Sequence, residues 1–220
     1  MSPSREVAMQ DPALELDVIE ELAWDPRIDA TAVGVDAEEG TVTLRGTVSS
    51  LRHRRDAVKV ARRVRGVLRL RDELEVRLPP AHRRDDTELS SDVLQALTLD
   101  TAVPTTVNAY AQHGVVTLMG FVDWHCQRLA SEAAVANVLG VREVVDLIRL
   151  QPTGTADPVA FLRAARRAGL PSCVSLEATD GTVTVNGAVH TLSDHDRALA
   201  LAWSTPGTVA VNDRLSVVPA

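Results

Sequence analysis

The chain has 220 residues, a formal net charge of −7, and 45% hydrophobic but only 3% aromatic residues. The acidic balance speaks against a dedicated nucleic-acid binder, which needs clustered positive charge to meet phosphates, and the scarcity of aromatics leaves Val, Leu, Ile and Ala to build the cores. No run of 18 apolar residues occurs, and the stretch from Met1 to Pro12 lacks the apolar segment of a signal peptide, so the expectation is a cytoplasmic chain, at most peripheral to a membrane.

Residues 1–12 read as a tail and 13–79 as a first unit. Asp11-Pro12 is a capping residue followed by proline at the first helical position. The helix it opens carries Leu14, Leu16, Val18, Ile19 and Leu22 and ends near Trp24-Asp25-Pro26. Thr31 to Asp36 is expected to pair with Thr41 to Val48 through a turn at Glu38-Glu39-Gly40. In the second of these strands Val42, Leu44, Gly46 and Val48 share one face, with Thr41, Thr43, Arg45 and Thr47 on the other, so one side is buried. A second helix begins after Ser49-Ser50, puts Ala57, Val60, Ala61 and Val64 on its core face, and is expected to end at Gly66, where a left-handed residue suits a helix C-terminus. A strand from Val67 to Val76 closes the unit.

The same unit recurs twice. Gly40 to Val48 is rewritten as Gly114 to Val122 and Gly181 to Val189, and the 20-residue step from Gly46 to Gly66 returns from Gly120 to Gly140 and from Gly187 to Gly207. Asp72, Asp146 and Asp213 each stand six residues beyond the last of those glycines. Residues 80–86 form a polar linker to unit two (87–151), whose first helix starts at about Thr87 with Val93, Leu94 and Leu97. Residues 152–156 lead to unit three (157–219), where Asp157-Pro158 repeats the first cap. The fold class expected is α+β, three tandem α-β-β-α-β units. Units of this size are marginal alone, so they are expected to pack on one another or to be stiffly linked.

A unit carrying G-x-V-x-L-x-G-x-V, a glycine 20 residues later and a closing V-x-D-x-L-x-V resembles the BON domain, named for bacterial osmotically inducible and nodulation proteins. The resemblance covers Leu14 to Pro79, Thr87 to Gln151 and Pro158 to Val218. It implies two helices packed on one face of a small three-stranded mixed sheet, no catalysis, and an association with phospholipid membranes or envelope surfaces under osmotic and other stress. Many such proteins are exported, and this sequence displays no export signal. The function expected is that of a non-enzymatic binding or scaffold protein, stress-linked, peripheral to an anionic phospholipid surface or to a protein partner, with no cofactor. The alternatives are a cytoplasmic protein-binding or holdase-like factor that adds strands to sheet edges and, more remotely, a metal-dependent hydrolase.

The repeated glycines (Gly40, Gly46, Gly66, Gly114, Gly120, Gly140, Gly181, Gly187 and Gly207) are backbone devices, since no strand-to-helix phosphate loop accompanies them. Asp72, Asp146 and Asp213 have two readings, a turn or bulge at the start of the last strand or a repeated polar contact. Cys126 and Cys173 are expected to be buried, reduced thiols. His190, Asp194, His195 and Asp196 form the densest metal-like group, but a polar helix start explains them, and no metal site is expected. A G-x-S-x-G nucleophile elbow is absent. The clearest asymmetry between units is charge: Arg52, Arg55, Lys59 and Arg62 fall at i, i+3, i+7 and i+10 on the second helix of unit one, opposite its apolar face. That stripe is the candidate surface for an anionic partner; the competing reading is a face paired with acidic neighbours, unit three among them.

Overall fold

Two residues of positive φ close each hairpin: Glu39 and Gly40, His113 and Gly114, Asp180 and Gly181. This is the primed turn, whose twist matches that of the strands it joins. In the computed structural model, which describes residues 11–151 and 174–218, the three hairpins seed three sheets of identical topology. Unit one runs α1 (Pro12–Trp24), a 3-10 turn (Ala30–Ala32), β1 (Val33–Glu38), β2 (Thr41–Val48), α2 (Leu51–Ala61) and β3 (Arg69–Val76). Unit two runs α3 (Asp86–Leu99), β4 (Val107–Gln112), β5 (Val115–Val122), α4 (His125–Ala136) and β6 (Glu143–Leu150). The described part of unit three is β7 (Ser175–Thr179), β8 (Thr182–Val189), α5 (Leu192–Trp203) and β9 (Ala210–Val217). The expected first helix of unit three, its Asp157-Pro158 cap and Cys173 lie outside the described residues.

In each sheet the central strand is antiparallel to the first and parallel to the last, so the chain belongs to the α+β class with three-stranded mixed sheets. Leu14, Val18 and Leu22 of α1 meet Ala57, Val60 and Ala61 of α2 over Val42 and Leu44 of β2. Asp11 caps α1, its carboxylate accepting the Leu14 N–H at 3.2 Å. The strand glycine is obligatory for a packing reason: a β-carbon on Gly46 would stand 2.1 Å from the Ala32 carbonyl oxygen, and one on Gly120 would stand 2.1 Å from that of Thr106.

Three boundaries differ from the sequence reading. The second helix stops at Ala61, not at Gly66, because the N–H groups of Arg63 and Val64 reach back three residues, to Val60 and Ala61. The helix thus unwinds through 3-10 turns, and Gly66 is a loop residue on the way to β3. The first strand begins at Val33, after the 3-10 turn, and the last at Arg69.

The three units close into a ring. Leu51, His125 and Leu192 are the first residues of α2, α4 and α5, each five residues beyond its strand glycine. Leu51 is buried in the core of unit two, Leu192 is buried in the core of unit one, and His125 stacks on Trp203 of unit three with ring centroids 4.1 Å apart. Each unit therefore sets the start of its second helix against the next, in the order one to two, two to three, three to one, with Leu51 and Leu192 entering the neighbouring core and His125 stacking on its neighbour. Polar contacts follow the same rotation: Arg55 donates to the Glu132 carbonyl oxygen at 3.0 Å across the first seam, and Asp196 accepts both Nε (2.8 Å) and Nη2 (2.5 Å) of Arg62 across the last.

Candidate functional site

At the middle of the ring the helices α2, α4 and α5 leave an open cleft of about 810 Å³. Its charge comes mainly from unit one, which supplies Arg52, Arg54, Arg55, Lys59, Arg62 and Arg63; α5 adds Arg197. Against these seven cations stand Asp56, Asp72 and Asp196. In a concave, partly desolvated site such an excess attracts anions more strongly than the same charges spread over a flat surface.

The expected stripe lies along this cleft rather than on an open outer face, and its four members have different duties. Arg55 and Arg62 hold the seams already described. Arg52 reaches Asp56 of its own helix at 3.8 Å, and Lys59 has no ion-pair partner among the described residues. Arg63, which the stripe did not include, lines the same cleft.

The three aspartates repeat one arrangement. Asp72 accepts the Leu74 N–H at 3.1 Å with one oxygen and Nε of Arg54 at 2.8 Å with the other. Asp146 does the same for Ile148 and Arg128, and Asp213 for Leu215 and the Nε2 of His195, at 2.8 Å. The cations occupy one position, the fourth residue of α2, α4 and α5. Because the Arg77 N–H bonds back to Val48, strand alternation turns the Leu74 N–H away from β2. The carboxylate thus covers an outward-facing donor of an edge strand and ties that edge to the helix above it. The aspartates are at the middle of their strands, not in a turn at the start.

His195 sits between two carboxylates, with Asp196 3.6 Å from Nδ1 and Asp213 2.8 Å from Nε2. Asp196 is the larger influence raising the imidazole pKa above its ordinary value, Asp213 adds to it, and burial opposes both. Asp196 is itself held below the usual carboxylate range by His195 and Arg62, which outweigh its burial. In unit two, burial and the neighbouring Asp146 push the Glu132 carboxyl pKa up, and burial pushes His125 down.

Other candidates fall elsewhere. Asp194 stays local, accepting from the Thr191 hydroxyl at 2.8 Å at the start of α5. Among the described residues no three His, Cys, Asp or Glu side chains converge as a metal would need. Cys126 is exposed, contrary to expectation. It is the second residue of α4, where unit one has Arg52 and unit three Ser193, both facing the cleft. The shared cation position Arg54/Arg128/His195 is the feature that sequence reasoning missed. Its signal was the constant eight-residue step from the strand glycine.

No described helix is long and apolar enough to cross a membrane. Comparison with known proteins finds the BON domain family model matching three times, at residues 10–77, 85–152 and 166–219. The osmotically-inducible protein Y of Escherichia coli strain K12 is 33% identical over 141 residues, which span 62% of this chain and 70% of that protein. Among solved structures, CdsD, a structural protein of the type III secretion system of Chlamydia trachomatis, aligns over 94% of this chain and 93% of its own at 14% identity and a TM-score of 0.25. The periplasmic domain of the inner membrane protein PrgH from S. typhimurium aligns over 86% of this chain and 95% of its own at 13% identity and a TM-score of 0.23. Three matches to one family model, each laid over a sheet, a clamp and a seam of the same design, make the chain a member of the BON domain family.

Proposed function

We propose that this chain is a non-enzymatic binding protein of osmotic stress that docks peripherally on anionic phospholipid through the central cleft. One observation carries the reading: the ring gathers seven basic against three acidic side chains at a single opening, in a molecule whose net charge is −7. The net negative charge of the rest of the molecule disfavours an anionic surface and so orients the approach toward that opening. Each basic residue near an anionic bilayer contributes about 1 kcal/mol before salt screening, enough for weak, reversible attachment. The name of the E. coli relative supports the link to osmotic stress. Strand addition at sheet edges draws less support, since Asp72, Asp146 and Asp213 cover outward donors on one edge of every sheet.

Vesicle sedimentation tests the proposal. The full chain is expected to pellet saturably with vesicles containing anionic phospholipid at low salt, to be released at high salt, and to ignore neutral vesicles. Replacing Arg52, Lys59 and Arg63 with Gln, which spares the seam residues Arg55 and Arg62, is expected to weaken pelleting about tenfold or more. Gln at Arg69, Arg71 and Arg77 removes the same charge away from the cleft and is expected to change it far less. Equal effects from the two triple variants would sink the assignment of the cleft.

A further inference from the structure

The outer faces of the three sheets are not alike. In unit one the face turned away from the helices carries Asp36, Arg71, Arg45, Glu73 and Thr47, with Arg45 held by Asp36 at 2.7 Å and by Glu73 at 2.8 Å. Unit three presents Glu177, Thr184, Asn212, Asn186 and Arg214 in the same rows. The corresponding rows of unit two read Tyr110, Thr117 and Val145, then Asn108, Met119 and Leu147, then Phe121 and Arg149. Five large apolar side chains are thus contiguous and exposed: Tyr110 48%, Met119 38%, Phe121 45%, Val145 36% and Leu147 57%. The fold does not require them, because unit one builds the same sheet with four charged residues and Thr47 at the same positions. A connected apolar patch ringed by polar groups marks a contact surface, unlike scattered single residues.

The charges on the rim select the occupant. The outward residues of β6 run Glu143, Val145, Leu147, Arg149, acid at one end and base at the other. A two-fold axis lying between two facing sheets and crossing β6 at right angles reverses the strand. It stacks Val145 on Leu147 of a second copy and sets Glu143 against Arg149 at both ends. The same rotation lays the Tyr110 ring over Asn108 of the second copy, offering its hydroxyl a partner. We infer that the outer face of unit two is an isologous interface, through which two copies of this chain pack sheet on sheet. Such packing keeps strands within about 30° of alignment across a layer about 10 Å thick. Five side chains and a short rim put the contact at the small end of specific interfaces, so a dissociation constant on the order of 10 µM is expected. This inference does not rest on the cleft, which lies on the other side of the sheets.

Sedimentation equilibrium of the full chain over a range of concentrations tests it. The wild type is expected to dimerise, and Leu147→Asp to remain monomeric with unchanged circular dichroism and melting temperature. Glu143→Arg and Arg149→Glu are each expected to weaken dimerisation about tenfold or more by placing like charges at both ends. An equimolar mixture of the two, or the double variant, is expected to restore it, because each base then faces an acid again. A wild type that stays monomeric at hundreds of micromolar, or a dimer that survives Leu147→Asp, overturns the interface. Failure of the mixture and of the double variant to recover overturns the two-fold register. Loss of vesicle pelleting by Leu147→Asp in a monomeric wild type would give the face to a lipid surface instead and overturn the inference.

Discussion

Units one and two hold the free edge of their sheets with arginine, through Arg54 on Asp72 and Arg128 on Asp146, whereas unit three uses His195 on Asp213. The aspartate never varies because it has two tasks. It must cover the outward N–H two residues ahead, a backbone donor that no side-chain change can remove, and it must receive the helix. Only the second task concerns the cation, so any cation of suitable reach serves. Residues that answer to the backbone stay the same among the three copies, while residues that answer only to charge drift.

The largest effect is expected from breaking what the copies share. Gly120→Ala forces a β-carbon against the Thr106 carbonyl at a φ of +132°, and should destabilise the chain by about 3 kcal/mol or more in urea unfolding. Wild-type stability for that variant would mean the crossing of the loop over β5 is misplaced. Next come the aspartates. Asp146→Ala removes a side chain only 11% exposed and strands both an edge donor and Arg128, for an expected loss of about 2 kcal/mol. Asp213→Ala acts on a carboxylate 39% exposed and should cost about 1 kcal/mol. Reversal of that order would show that exposure does not set the strength of the clamp.

The smallest effect is the pH dependence that His195 of unit three contributes. Folding raises the His195 pKa above its ordinary 6.5. The stabilisation is therefore fully present below about pH 6.5 and fades as pH rises through the higher folded value. Screening at a partly exposed site keeps it to about 1 kcal/mol or less. Melting temperatures measured from pH 6 to 9 should fall slightly through this group, and His195→Arg, which installs the cation of the other two units, should flatten that slope. An unchanged slope in His195→Arg would assign the dependence to another group.

Much of the unit was legible in the sequence because it follows from local periodicity. The alternation in Val42, Leu44 and Val48, the i, i+3, i+4 spacing of Ala57, Val60 and Ala61, and the Asp11-Pro12 cap each constrain a few neighbouring residues, and all reappear as buried or capping groups. The seams were not legible. Leu51 and Leu192 share a position and a chemistry, with His125 in the same place in unit two, but the periodicity of one unit cannot say that this position reaches into the next. The stripe lies opposite the apolar face of α2, yet helical spacing cannot tell solvent from a neighbouring unit, and Arg55 and Arg62 meet neighbours. The outer face of unit two did leave a signal, since Met119, Phe121, Val145 and Leu147 stand where alternation calls for polar residues.

The insertion of each second helix into the next unit has a consequence for how the three units hold one another. The contact is head-to-tail, so every unit has one offering side and one receiving side, and the rotation between neighbours returns to its origin after three steps. Two units joined in this way would leave an uncovered Leu at one end and an empty socket at the other, inviting a further chain to fill both. A fourth unit would find the third already joined to the first. The angle of one interface thus closes these three units on one another and leaves neither an offering nor a receiving side unused among them.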